Sequence, residues 1–240
     1  MMRLSNRKAN EIRNISFDTN INCHAEGSCL VSYGKTKVIC TATHEHKTPK
    51  FLRDQNKGWL TAQYGMLPRS TNVRMLRESS AGKQSGRTIE IQRLIGRSLR
   101  ACLDLENLAG RQITIDCDVI QADGGTRTAA ISGGYVALAL CIKDLLKNNI
   151  IKENPLKSNI AAISCGITQG DVILDLDYLE DSNIDVDANF VFNNKEELIE
   201  IQASSEQHTF AKDLLMKMYD MSYLACSKIF ELQNNAINSI

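Results

Sequence analysis

The chain has 240 residues, 43% of them hydrophobic and only three of them proline, with 28 Lys plus Arg against 28 Asp plus Glu. This composition describes an ordered, core-forming protein of one large or two small domains, and zero formal net charge excludes a globally basic nucleic-acid binder. No apolar run approaches the roughly 20 residues that cross a bilayer, and the basic start has no apolar segment behind it, so a soluble, unexported, cytoplasmic protein is expected.

In chain order, residues to about Asn14 read as an arm or loop. Strands are predicted at Ile15–Ile21, Ser28–Tyr33 and Lys37–Thr43, the last two joined by a Gly34-Lys35 hairpin turn. His44 to Lys57 is polar and loop-like, Trp59–Tyr64 reads as a short strand, and Gly65 to Gly86 as a long basic loop. Loops of that length in a compact domain are usually functional or disordered. Arg87 to Asp104 has helical periodicity, with Ile91, Leu94, Ile95, Leu99, Cys102 and Leu103 on one side and Arg93, Arg97 and Arg100 opposite. Arg87 lies off that arginine stripe, near the helix start. A strand at Ile113–Ile120 and a small-residue helix at Thr128–Leu146 follow. Beyond Pro155 come a second hairpin (Ile160–Thr168 and Val172–Tyr178, turning at Gln169-Gly170), an acidic loop, strands Ala188–Phe192 and Leu198–Ala203, and a helix from about Phe210 to Ala236. The order hairpin, polar loop, strand, helix thus occurs twice. An α+β fold of two pseudo-repeated βα units with helices on mixed sheets is expected.

Of the eight cysteines, Cys40, Cys102, Cys117, Cys141 and Cys165 fall inside apolar patterns and read as small core residues. There is no Cys-x-x-Cys pair and no Cys/His spacing of a zinc site, and the adjacent Cys23-His24 reads as incidental.

Charge is sorted locally. From Arg69 to Arg111 nine basic residues face four acids, whereas Asp171 to Asp187 carries seven acids and no Lys or Arg. Sorting of this kind suits phosphates and a divalent metal meeting in one site. Asp123-Gly-Gly-Thr-Arg-Thr128 stands between the strand and the small-residue helix. Gly124 and Gly125 let backbone N–H groups approach an anion, the helix N-terminus adds partial positive charge, and Thr126 and Arg127 supply a hydroxyl and a guanidinium fork. The turn is neither a Walker A loop nor Gly-x-Gly-x-x-Gly. Arg93/Arg97/Arg100 reads as a solvated helix face or a subunit contact, and Arg69, Arg74 and Arg77 as RNA-backbone contacts or solvated loop residues. Asp175, Asp177, Asp181, Asp185 and Asp187 share odd parity, which on an extended backbone places neighbours on one side and suits Mg²⁺ or a polar sheet edge.

The chain resembles the RNase PH family of phosphate-dependent 3′-exoribonucleases over nearly its whole length. The resemblance rests on Cys23-His-Ala-Glu-Gly-Ser28, Gly58-Trp59, Tyr64-Gly-Met-Leu-Pro-Arg69 and the segments Gly86 to Arg100, Ile115 to Thr128 and Asp175 to Asp181. It implies a ribosomal protein S5 domain 2-like fold, a single family domain over 1–240 and a homo-hexameric ring, a trimer of dimers. It also implies the reaction, in which inorganic phosphate releases nucleoside diphosphates from the 3′ end of tRNA precursors. By position it puts Arg87, Thr126 and Arg127 at the phosphate, Asp181 and Asp187 at a catalytic metal, and Arg69, Arg74 and Arg77 at tRNA and ring contacts. A catalytically silent, RNA-binding ring subunit of an exosome-like assembly is the alternative. Departures from the family pattern are Gln63 before Tyr64-Gly65 and Ala203-Ser-Ser-Glu206 before the last helix.

Overall fold

The computed structural model describes Arg3 and residues 5–52, 55–205 and 209–239; Glu206, the end of one departure noted above, lies outside them. In chain order the elements are β1 (Ile15–Thr19), β2 (Gly27–Tyr33), β3 (Thr36–Glu45), β4 (Trp59–Met66), α1 (Glu78–Ala81), α2 (Gly86–Ala101), β5 (Gln112–Gln121) and α3 (Thr126–Lys147). The second half has β6 (Ile160–Thr168), β7 (Asp171–Leu174), α4 (Tyr178–Asp181), β8 (Val186–Asn193), β9 (Leu198–Ser205) and α5 (Lys212–Asn238).

Two sheets result. The first runs β1-β2-β3-β5-β4 and is mixed, because α2 carries the chain from β4 across to a parallel β5. The second runs β7-β6-β8-β9 and is antiparallel throughout. Alternate residues of the first sheet, among them Val31, Cys40, Ile115 and Cys117, are buried towards α3. The other flank of α3 packs on β6 and α5, so α3 is the shared core between the sheets. A helix buried all round must be apolar all round. By length and composition α3 could cross a membrane, with mean hydropathy 1.5, contrary to the expectation that no run would; 83% of that stretch is buried inside the protein.

A polar rivet joins the halves. The Tyr33 hydroxyl donates to Ser132 Oγ at 2.8 Å, Ser132 Oγ accepts from the Ala162 amide at 3.0 Å, and Gln233 donates to the carbonyls of Ser132 and Ile160. The two bonds from Gln233 Nε2 fix the seating of α5 against both halves, since leaving those buried groups unpaired would cost about 1–3 kcal/mol; Gln233 Oε1 itself has no partner among the described residues. Seven of the eight cysteines are buried and all are free thiols, in agreement with the core reading.

The second hairpin departs from expectation. β7 ends at Leu174 rather than Tyr178, because Asp175 takes a left-handed backbone (φ 53°) and the chain turns into α4. Asp177 caps that turn, accepting from the Glu180 amide at 3.0 Å while Glu180 accepts from the Asp177 amide. The predicted acidic loop is therefore a capped helical turn. In the basic loop, residues 78–81 likewise form a helical turn, α1.

Candidate active site

Each half of the chain contributes a wall to one cavity of about 540 Å³. Its lining includes Arg87, Gly124, Gly125, Thr126, Arg127, Asp181 and Asp187, together with Tyr64, Ser164 and Asn189. All seven phosphate-site and carboxylate candidates thus converge.

The glycine turn is built for this place. Gly124 and Gly125 both have left-handed backbones (φ 72° and 65°), and a Cβ on Gly124 would collide with the Leu176 carbonyl. Gly125 begins α3 without a side-chain cap, which leaves first-turn N–H groups for an anion. From the other side Thr36 Oγ1 donates to the Gly124 carbonyl at 2.6 Å and accepts from the Asp123 amide at 2.8 Å. The Thr126 hydroxyl accepts from Tyr64 at 2.9 Å, and burial pushes the Tyr64 phenol upward, so it remains a neutral donor.

The guanidiniums differ in restraint. Arg127 Nη1 donates to Gln202 Oε1 at 2.7 Å and lies 3.8 Å from Glu90. Arg87 is exposed in the first turn of α2, with no hydrogen bond or ion pair among the described residues. Two helix N-termini add their partial positive charge to the two guanidiniums, of which only Arg127 is held in place.

Asp181 closes α4 and Asp187 stands on β8, opposite Gly166 of β6 and Ser204 of β9. Desolvation pushes the Asp181 carboxyl upward, while Arg127 and Arg87 draw it down. The other odd-numbered acids go elsewhere, because the backbone is not extended. Asp175 is fully buried against Arg13, Asp177 caps α4, and exposed Asp185 accepts from the Gln169 amide. Among the described residues no three His, Cys, Asp or Glu cluster as a metal cage. Two carboxylates suit Mg²⁺ nonetheless, since this ion is commonly held by one or two carboxylates plus water and substrate phosphate.

Arg69, Arg74 and Arg77 are exposed and do not line this cavity, although Thr71, Met75 and Leu76 of their loop do. Arg77 lines a neighbouring cleft with Lys83 and Asp118. The α2 stripe divides: Arg97 pairs with Glu200 at 3.3 Å, Arg100 lies over the Trp59 ring, and Arg93 is exposed. Gln63 is exposed on β4 outside the cavity, and Ser204 sits beside Asp187 on the neighbouring strand. Sequence reasoning missed Tyr64, Glu90 and Gln202 as supports of the cradle, and no local pattern marks them. It also missed the arm arginines. Arg3 donates two hydrogen bonds to Glu180, and although burial works the other way, these hold the Glu180 carboxyl below the usual range.

Fold and site define an α+β protein with a candidate anion cradle and an acid pair at the seam of two sheets. The model of the 3′ exoribonuclease family, domain 1, matches residues 11–143, and that of domain 2 matches residues 158–224. The chain belongs to this phosphorolytic 3′ exoribonuclease family. Solved structures agree in fold. Rice (Oryza sativa) Rrp46 is 20% identical with a TM-score of 0.79, covering 98% of this chain and 100% of its own. A chain of the Archaeoglobus fulgidus exosome with RNA bound to the active site is 19% identical, with a TM-score of 0.79 over 95% of this chain and 91% of that one. A chain of an archaeal exosome core is 18% identical, with a TM-score of 0.75 over 98% and 90%.

Proposed function

We propose that the protein is an active phosphate-dependent 3′-to-5′ exoribonuclease that trims the 3′ ends of tRNA precursors and other RNA in the cytoplasm as a homo-hexamer. The observation that carries this reading is the convergence of Arg87, Thr126 and Arg127 with Asp181 and Asp187 in one cavity. A ring subunit that only threads RNA has no need of both sets.

Inorganic phosphate is the nucleophile. Arg87 and Arg127 neutralise it, the Gly124–Gly125 backbone and Thr126 cradle it, and together they aim one oxygen at the terminal phosphorus of the RNA. The new P–O bond forms as the bond to the 3′ oxygen of the penultimate nucleotide breaks. A nucleoside diphosphate leaves, and the shortened RNA keeps its 3′ hydroxyl after taking up a proton, which Asp181 or Asp187 is placed to deliver directly or through water. The same two carboxylates would hold Mg²⁺, which when bound supplies charge neutralisation at the departing oxygen. Positioning and electrostatics supply most of the rate in chemistry of this type.

The exposed Arg69, Arg74 and Arg77 grip the RNA backbone, and a ring multiplies such local patches without overall basic charge. Substituting all three weakens tRNA binding more than phosphate binding; equal loss of both would count against separate roles. The decisive assay incubates the protein with a tRNA bearing extra 3′ nucleotides, with and without phosphate. Phosphate-dependent nucleoside diphosphates are expected. Monophosphates without phosphate would indicate a hydrolase, and bound but untrimmed RNA a silent ring subunit.

A further inference from the structure

We infer that Arg13, in the N-terminal arm, is a positioning residue for the phosphate cradle. Its single guanidinium ties the turn that precedes Gly124 to the second half of the chain. This inference rests on reading Gly124–Arg127 as a site for inorganic phosphate.

The guanidinium works in two directions. Nη1 donates to the Asp123 carbonyl at 2.5 Å, at the head of the glycine turn. Nε and Nη2 donate to the two oxygens of Asp175 at 3.0 and 2.7 Å, and the Arg13 amide adds a third bond to Asp175 at 2.7 Å. The Arg13 side chain is only 7% exposed and that of Asp175 is 0% exposed. Nη2 also lies 3.0 Å from where a Cβ on Gly125 would stand, so the guanidinium forms the floor under the turn.

The far anchor is rigid. Asp175 holds its left-handed backbone because its amide donates to the Ser164 carbonyl at 2.6 Å and its carbonyl accepts from Arg3 and Arg7 at 3.2 and 2.9 Å. The arm itself is pinned to the edge of β7, where the Leu174 amide donates to the Ala9 carbonyl at 2.9 Å. Asp175 neutralises Arg13, so the contribution of Arg13 to the cradle is geometric rather than a field on the anion. A planar fork can serve acceptors on two sides at once, whereas a lysine ammonium is a point charge on a flexible stem. Charge alone cannot replace Arg13.

The test titrates inorganic phosphate into the full-length protein by calorimetry, comparing wild type, Arg13→Lys and Arg111→Lys. Arg13→Lys keeps the charge and should weaken phosphate binding on the order of tenfold, the scale seen when an outer partner of a ligating group is lost. Arg111→Lys makes the same exchange at a guanidinium that among the described residues bonds only the Ala109 and Ile150 carbonyls, away from Asp123 and Asp175, and should leave phosphate affinity within about twofold. Equal affinity of Arg13→Lys and wild type would overturn the positioning role alone, while absence of phosphate binding by wild type would bring down the cradle reading with it. A second measurement needs no variant: hydrogen–deuterium exchange of wild type with and without saturating phosphate. Linkage requires a ligand at residues 123–127 to slow exchange at Arg13 as well. Slowing confined to the glycine turn would overturn the inference.

Discussion

Arg87 and Thr126–Arg127 reach the cavity from the first turns of two long helices, whereas Asp181 and Asp187 reach it from a four-residue turn and a strand. The cationic wall is largely local in origin. Its anion-facing groups, two glycines and a helix start, are contiguous in sequence, although Arg13, Tyr64 and Gln202 hold them from elsewhere in the chain. The acidic wall depends on distant partners. Of the seven acids between Asp171 and Asp187, only Asp181 and Asp187 line the cavity. Asp175 and Glu180 are turned away by Arg3, Arg7 and Arg13, more than 160 residues earlier in the chain. Identical side-chain chemistry within one short segment is thereby split into structural and site-facing groups.

The sharpest break of this comparison sets Asp175→Asn against Asp181→Asn. Removing the charge of Asp175 leaves Arg13 buried beside an uncharged amide, and breaking a buried ion pair costs about 3–5 kcal/mol. Urea denaturation should show that loss. Asp181 is exposed at the cavity, where partial desolvation outweighs Arg127 and Arg87 and pushes its carboxyl upward, so the neutral amide removes no stabilising charge. Its stability should stay within about 0.5 kcal/mol of wild type, while phosphorolysis is lost. Similar stability losses in the two variants would erase the division of the acidic segment.

On the cationic wall, Arg127→Ala should cut phosphorolysis about 10²–10³-fold, the scale for removing one preorganised donor, and leave the oligomer intact. Wild-type rates at low phosphate would remove Arg127 from the site. Gly124→Ala probes the backbone of the same wall. Its left-handed φ and the Leu176 carbonyl both oppose a Cβ, and such strain costs on the order of 1–3 kcal/mol. A drop in thermal stability with weakened phosphate binding is expected; unchanged phosphate binding would show that the turn's backbone does not hold the anion.

What was legible in the sequence follows the same division. Gly124–Arg127 could be read because turn and helix-start chemistry is local, and Arg87 because helical periodicity set it apart from Arg93, Arg97 and Arg100. Shared odd parity did not bring the aspartates together, because the backbone is not extended through Asp175, where the chain is left-handed and bonded to Arg13. The pattern Asp177-x-x-Glu180 is a legible capping box and would have placed α4. Nothing local identified Asp181 and Asp187, which came from the family resemblance. The arm read as a loop because its partners lie in the second half, and single arginines carry no sign of what will bury them.

The smallest effect is expected at Gln202, where the second half also supports the cationic wall. Gln202 Oε1 holds Arg127 Nη1 at 2.7 Å, and its Nε2 donates to Glu90 at 3.3 Å. Among the described residues these contacts engage only Nη1, so Nε and Nη2 remain for phosphate. Gln202 therefore orders the guanidinium before the anion arrives and need not leave when it binds. Gln202→Ala frees a flexible side chain, but Glu90 stays as a substitute partner, which limits the loss to about 1 kcal/mol, the net worth of an ordinary hydrogen bond. KM for phosphate should rise roughly fivefold with kcat little changed, as loss of uniform binding predicts. A fall in kcat at constant KM would mean instead that Gln202 acts in the transition state, and the two walls would then share the chemistry as well as the cavity.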